Sequence, residues 1–204
     1  MKTQTALSRL FVAALAAAAL APVAAQAEGN FEVRVRAVDV APANDDTVSI
    51  TNISLNSKVI PEVDFSYYIT PNIAAELILT YPQQHDVSSS AHGGKIGTLR
   101  ELPPTLTAQY HFVPNGQFRP YVGAGLNYTN ITCVNLPSGY NVDRGSFGLA
   151  LQAGMDVQVA PQVFINLDIK QVGIKTKLRD SAGSDLGTIK VNPILVGAGV
   201  GYRF

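Results

Sequence analysis

The stretch Phe147-Gly148-Leu149-Ala150-Leu151-Gln152-Ala153-Gly154-Met155-Asp156-Val157-Gln158-Val159 decides how this chain folds. Every odd-numbered position in it is apolar. The even-numbered positions carry Gly148, Ala150, Gln152, Gly154, Asp156 and Gln158, which are small or polar. That period of two fits a strand with one apolar and one polar face, and a 3.6-residue period does not. The segment from Pro61 to Ile69 repeats the pattern, with Val63, Phe65, Tyr67 and Ile69 opposite Glu62, Asp64 and Ser66.

Extended along the chain, the same reading predicts eight strands, over residues 30–40, 58–69, 73–81, 99–112, 118–128, 144–159, 163–175 and 188–204. Three connections are tight and Pro-marked, at 70–72, 113–117 and 160–162. Four are long and polar, at 41–57, 82–98, 129–143 and 176–187. Long and short alternate strictly. In an up-and-down antiparallel sheet, successive connections lie at opposite ends, so one end collects the short turns and the other the long loops. This is the shape of an all-β, eight-stranded antiparallel transmembrane β-barrel, with three short periplasmic turns and four long extracellular loops. Strands can cross lipid only as a closed sheet, because every backbone N–H and C=O must find a partner there.

Composition agrees. The chain has 204 residues, of which 47% are hydrophobic and only 15% charged, with formal net charge zero. That excludes a disordered chain and argues against a nucleic-acid partner, which would need a clustered cationic surface. Lys2 and Arg9 precede an apolar run that ends in Ala25-Gln26-Ala27, the pattern of a signal peptide over residues 1–27 cleaved after Ala27. A transmembrane anchor would need a longer apolar run and no small-residue exit. The mature chain, 28–204, then keeps 13 basic and 15 acidic residues.

A soluble barrel would turn its apolar side chains inward. The polar alternates here include Arg34, Arg36, Glu62, Asp64, Glu76, Arg119, Asp156, Asp168 and Lys170. With an export signal and asymmetric loops, they are assigned to a polar lumen and the apolar faces to outer-membrane lipid. Leu149, Leu151, Ala153 and Met155 are then expected against hydrocarbon. Tyr67, Tyr81, Tyr110, Phe112, Tyr128, Tyr202 and Phe204 fall near strand ends, where aromatic girdles form.

Two blocks carry a family resemblance: Leu102-Pro103-Pro104-Thr105-Leu106 through Gln109-Tyr110, and Phe118-Arg119-Pro120-Tyr121-Val122-Gly123-Ala124-Gly125-Leu126-Asn127-Tyr128-Thr129. With Asn72-Ile73, Glu76-Leu77 and the terminal Gly201-Tyr202-Arg203-Phe204, the mature chain closely resembles the OmpW family of small outer-membrane proteins of Gram-negative bacteria. The resemblance implies an eight-stranded barrel with an unusually apolar interior, associated with passage of small hydrophobic molecules to the periplasm. It also implies that the barrel-assembly machinery recognises Phe204.

By alternation the lumen set includes Glu76, Ile78 and Thr80, then Pro103, Thr105 and Thr107, and then Phe164, Asn166, Asp168 and Lys170. Ile78 and Phe164 suit an apolar resting place for a solute. Asp168 and Lys170 do not, and are expected to pair with Glu76 or Arg119. A plug of charges filling a narrow lumen is the alternative to a passage. Pro103 and Pro104 each lack an N–H, so a ladder bond is missing there and a sideways exit between strands is conceivable. Equally, they could only mark where the second long loop becomes a strand.

Other chemistry is thin. Val122-Gly123-Ala124-Gly125 and Val196-Gly197-Ala198-Gly199 lack the third glycine and helix of a nucleotide loop, and read as inward glycines that leave room for bulky neighbours. His85, Asp86 and His92 are expected in an exposed polar loop, with His111 on the fourth strand; they read as solvated histidines rather than a metal or acid–base site. Cys133, the single cysteine, excludes an intrachain disulfide and is expected to be shielded, with pairing between chains as the alternative. No cofactor is implied. Three functions remain open: a barrel passing hydrophobic solutes, a sealed structural or adhesive barrel binding partners through its loops, and a membrane enzyme using His85 and Asp86. The last has the least support, and the chain is read as not an enzyme.

Overall fold

The computed structural model describes residues 29–43, 45–46, 53–89, 93–136, 140–180 and 182–204. The proposed signal peptide and His92 lie outside the described residues. Eight antiparallel strands form the wall: β1 (Phe31–Ala41), β2 (Lys58–Thr70), β3 (Ile73–Thr80), β4 (Thr105–His111), β5 (Phe118–Asn135), β6 (Gly145–Ala160), β7 (Val163–Val172) and β8 (Ile194–Arg203). Each pairs with its neighbours in sequence. β8 returns to β1, from Glu32↔Arg203 to Ala41↔Ile194, which closes the barrel.

The side-chain faces follow the alternation read from the sequence. On β7, Ile165, Leu167 and Ile169 are exposed on the outside while Phe164, Asn166, Asp168 and Lys170 are buried inside. Leu149 and Leu151 on β6 are likewise exposed, and Ala150 and Gln152 buried. Aromatic residues band the outer surface. Tyr67, Tyr110, Phe112 and Phe118 do so at the short-turn end, and Tyr81, Tyr128 and Phe147 towards the other. The inward glycines do make room. A Cβ on Gly199 would lie 2.1 Å from the Val35 carbonyl oxygen, and one on Gly154 would lie 2.4 Å from the Tyr121 ring.

The long connections are more ordered than loops. β5 runs on to Asn135, well past the expected end at Tyr128. Strands Gln83–Ser89 and Gly94–Leu102 form a hairpin that pairs with Ile53–Leu55 on one edge and with the end of β5 on the other. A second sheet runs in the order Tyr140–Val142, Lys175–Asp180, Asp185–Lys190, Asp45–Asp46. Together they build a cap over the long-loop end. Its inward residues, among them Leu55, Val87, Leu99, Ile131, Val142, Leu178 and Ile189, join one buried apolar cluster. The physical reason is burial: pairing satisfies the backbone while the apolar side chains of the connections leave water together.

Two expectations fail in this cap. His85 is not a solvated loop residue but is 1% exposed, because its strand alternates Gln83, His85, Val87 and Ser89 inward. Cys133 is exposed rather than shielded, at a positive φ of 48° that turns it out of the β5 ladder.

Candidate functional site

Three tiers follow one another along the barrel axis. The first is an apolar chamber inside the cap, with about 80 Å³ of free space. Leu55, Val87, Leu99, Ile131, Leu178 and Ile189 contribute to its wall, and Glu101 sits at its edge.

The second is a smaller neck cavity of about 30 Å³ at the mouth of the barrel. Val40, Ile60, Ile78, Val172, Ile174 and Leu195 give it an apolar wall; Glu62, Thr80, His85, Glu101, Thr105 and Lys170 give it polar positions, and Pro103 lines it as well. Glu101 borders both spaces, and its Oε1 lies 3.2 Å from His85 Nε2. The wall is incomplete here. Pairing between β3 and β4 stops at Ile78↔Thr105 and resumes at Gln83↔Glu101, so residues 79–82 face residues 102–104 without ladder register. Pro103 and Pro104 have no N–H to offer at this point. On the opposite edge the sheet is intact, since the Tyr128 N–H donates to the Pro104 carbonyl at 3.1 Å.

The third tier is a charged plug. Arg34 pairs with Glu32 at 2.6 Å and with Glu76 and Asp156 at 2.9 Å each. Arg36 pairs with Glu62 at 3.1 Å, with Asp64, and with Asp168 at 3.4 Å. Glu76 Oε2 also accepts from Thr107 Oγ1, Gln109 Nε2 and Gln152 Nε2 at 2.7–3.1 Å. Tyr121 Oη donates to Asp168 at 2.8 Å. Three cations, Arg34, Arg36 and Lys170, thus face six carboxylates, and neutral donors add to them at Glu76 and Asp168. Buried charges persist only when paired and hydrogen-bonded in this way. Beyond the plug, at the turn end, tilted ring contacts run from Tyr68 through His111 to Tyr121, and Arg203 covers Tyr68 at 3.7 Å.

The anticipated site residues therefore divide. Ile78, Pro103 and Thr105 line the neck, Pro104 flanks the gap, Lys170 forms part of the neck floor, and Glu76 and Asp168 belong to the plug. Two expectations need correction. Phe164 does not share a pocket with Ile78: it lies one residue from the β6–β7 turn, under the Arg119 guanidinium at 4.5 Å, with the plug between them. Arg119 itself donates to the Gly116 carbonyl and to Gln158 Oε1 at 2.9 Å, so it belongs to the turn end. Nor do Asp168 and Lys170 take Glu76 or Arg119 as ion-pair partners. Lys170 Nζ donates to Glu62 Oε1 at 2.7 Å and lies 3.4 Å from Asp168, and Arg36 is the other cation beside Asp168. Alternation fixes the face of a strand but not its stagger against strands across the lumen.

Residues missed by sequence reasoning are Thr80 and Glu62 as neck residues, the His85–Glu101 pair, and the pivotal place of Arg34 and Arg36. The two arginines had a signal, two inward cations in one strand. The His85–Glu101 pair had none, because Gln83–Ser89 carries no hydrophobic alternation.

A closed eight-stranded barrel with an apolar exterior, aromatic bands and a charged interior defines a transmembrane β-barrel of the bacterial outer membrane. Residues 27–204 match the OmpW family, and the chain belongs to it. It is 38% identical to an uncharacterized outer-membrane protein of Sinorhizobium fredii over 100% of this chain and 96% of that one. It is 34% identical to outer membrane protein W of Vibrio cholerae, over 95% and 97% of the two chains. Among solved structures, that of the outer membrane protein OprG of Pseudomonas aeruginosa superposes with a TM-score of 0.74 at 27% identity, covering 86% of this chain and 96% of that one. The chain is accordingly an outer-membrane protein of a Gram-negative bacterium, of a family of barrel proteins rather than enzymes.

Proposed function

We propose that this barrel assists passage of small hydrophobic molecules across the outer membrane, with its cap outside the cell and its short turns in the periplasm. A solute enters the apolar chamber, descends to the neck, and leaves sideways into the membrane between β3 and β4. The observation that carries this reading is the neck itself: it lies between an apolar chamber and a charged plug, and is lined by Pro103 where the β3–β4 register is interrupted. A solute that avoids water gains nothing by entering the plug, where it would have to displace paired charges. The gap offers hydrocarbon instead.

The test is uptake of a small hydrophobic fluorophore into proteoliposomes whose outer leaflet carries lipopolysaccharide. Ile78→Trp should fill the neck and slow uptake, and Pro103→Val/Pro104→Val should restore N–H donors opposite residues 79–82 and slow release. Uptake no faster than in empty vesicles would refute the reading. A sealed barrel that binds partners through its cap would then take its place.

A further inference from the structure

We propose that the neck cavity is a recognition site for the head of an amphiphilic solute, an apolar molecule carrying one neutral hydroxyl or carbonyl group. This inference rests on the passage reading and narrows its substrate class. A path for hydrocarbons alone would need only apolar walls, as the chamber has. The neck departs from that: Val40, Ile60, Ile78 and Leu195 share its lining with Thr80, His85, Glu101 and the Glu62–Lys170 pair.

Thr80 is the pointer to a ligand. It lines the cavity, and its Oγ1 is buried with no hydrogen-bond partner among the described residues. The other polar side chains of the neck have partners. Thr105 Oγ1 donates to the Pro103 carbonyl at 3.1 Å, His85 faces Glu101 at 3.2 Å, and Lys170 is held by Glu62 at 2.7 Å. A buried hydroxyl without a partner is unfavourable, and a solute hydroxyl or carbonyl that reaches it restores the missing bond. Size agrees. About 30 Å³ of free space holds roughly two water-sized groups, which suits a head and not a whole molecule. The adjoining chamber of about 80 Å³ is the place for a tail.

Charge decides which head. Two carboxylates, Glu62 and Glu101, and one ammonium, Lys170, line the neck. Even with the His85 ring protonated, no net positive charge faces the cavity, and the Lys170 ammonium is already engaged. A carboxylate head would surrender its hydration without a spare cation to receive it. A neutral head meets no such penalty.

The experiment uses the full mature barrel in bilayer nanodiscs, with isotope-labelled Ile and Thr methyl groups, titrated separately with 1-octanol, n-octane and octanoate at matched ratios to lipid. With 1-octanol, the Ile78 and Thr80 methyl resonances should shift together and saturate. Thr80→Val, which keeps the side-chain shape and removes the hydroxyl, should weaken 1-octanol about twofold to tenfold, the worth of one neutral hydrogen bond, and leave n-octane unchanged. Thr80→Ser should bind 1-octanol as the wild type does, and octanoate should bind at least tenfold more weakly than 1-octanol. The Ile methyl spectrum reports folding of each variant. If 1-octanol and n-octane bind alike and Thr80→Val changes neither, or if octanoate matches 1-octanol, the head-group assignment falls and the passage reading stands. If none of the three moves the Ile78 methyl, both fall.

Discussion

Lys170 Nζ donates to Glu62 Oε1 at 2.7 Å across the lumen, joining β7 to β2, two strands that are not neighbours in the wall. The pair closes the neck and begins the plug, and both side chains are almost wholly buried. Removing Lys170 leaves Glu62 and Asp168 with Arg36 as their shared remaining cation. Lys170→Met is therefore expected to cost between about 1 kcal/mol and the roughly 3–5 kcal/mol of a buried charge left with no partner. Lys170→Met/Glu62→Met should cost less than the sum of the two single changes, since the charge balance of the plug is then kept. Urea unfolding of vesicle-refolded protein measures both. A loss below about 1 kcal/mol for Lys170→Met, the range of exposed pairs, would mean that the plug is hydrated.

The outer face gives the second prediction. Leu151 is 58% exposed on β6 and lies near the middle of the lipid-facing row from Phe147 to Val157. Leu151→Arg should cost about 2–4 kcal/mol in a bilayer refolding assay, the range for an arginine at the midplane. Leu151→Phe, which keeps the site apolar, should fold like the wild type. Equal behaviour of the two variants would show that this row does not face hydrocarbon.

How far the sequence disclosed these features depends on what each one rests upon. Barrel wall and lipid face were legible because a period of two assigns every residue of Phe147–Val159 to a face, and lipid leaves no other way to satisfy the backbone. The gap at Pro103–Pro104 was legible because a missing N–H is a property of the residue. The plug was half legible: Arg34, Glu62, Glu76, Asp156 and Lys170 could be placed inside, but which oxygen meets which nitrogen depends on the stagger of strands on opposite walls. Phe164 was misplaced for the same reason, since the face of β7 was read correctly and the height along the axis was not. The cap was least legible. Its strands are short, its outward residues polar, and the contact of His85 with Glu101 arises only when two halves of an unremarkable polar hairpin meet.

Orientation can be checked with the chain's own thiol. Cys133 is exposed near the end of β5, on the cap, and Gln162 lies in the turn between β6 and β7. With the cap outside, a membrane-impermeant maleimide added to intact cells should label Cys133 in the wild type. It should fail to label Cys133→Ser/Gln162→Cys until the outer membrane is permeabilised. Labelling of the second protein alone in intact cells would invert the proposed orientation.

The close approach of strands at the glycines leads to a fourth prediction. A Cβ on Gly199 would lie 2.1 Å from the Val35 carbonyl oxygen and 2.7 Å from Arg36 Cα, both of them backbone atoms that cannot swing aside. Gly199→Ala should therefore force β1 and β8 apart beside the Arg36 network and cost about 1–3 kcal/mol, as overpacking does. Gly93→Ala, with nothing within 4 Å of the added Cβ, tests the contrast. There φ is +74°, so any loss comes from local backbone strain in the hairpin and should leave the barrel transition in urea unmoved. Equal shifts of the barrel transition in the two variants would rule out the close-approach account.

The cap should respond to acid while the wall does not. Arg179 donates to both carboxylate oxygens of Asp143, Nε to Oδ1 at 2.7 Å and Nη2 to Oδ2 at 3.2 Å, tying the hairpin to the segment before β6. That bond holds the Asp143 carboxyl below its ordinary pKa. Backbone N–H groups, Ser184 first, do the same for Asp180, and Lys177 does so for Asp185. A carboxyl whose folded pKa is depressed contributes stability that is present above its unfolded pKa and lost as pH falls through the folded value. All three shifts have this sign, so the hairpin Lys175–Asp180 with Asp185–Lys190 should hold at neutral pH. It should loosen once the pH drops through and below the ordinary carboxylate range. The groups are exposed, so the effect is modest and should shrink with added salt. Amide exchange at pH 7 and pH 3, corrected for its intrinsic pH dependence, should show protection lost in this hairpin and retained in β1 and β8. Asp143→Asn should bring part of that loss to neutral pH. Protection that is the same at both pH values, or that falls equally in hairpin and wall, would show that these carboxylates do not hold the cap.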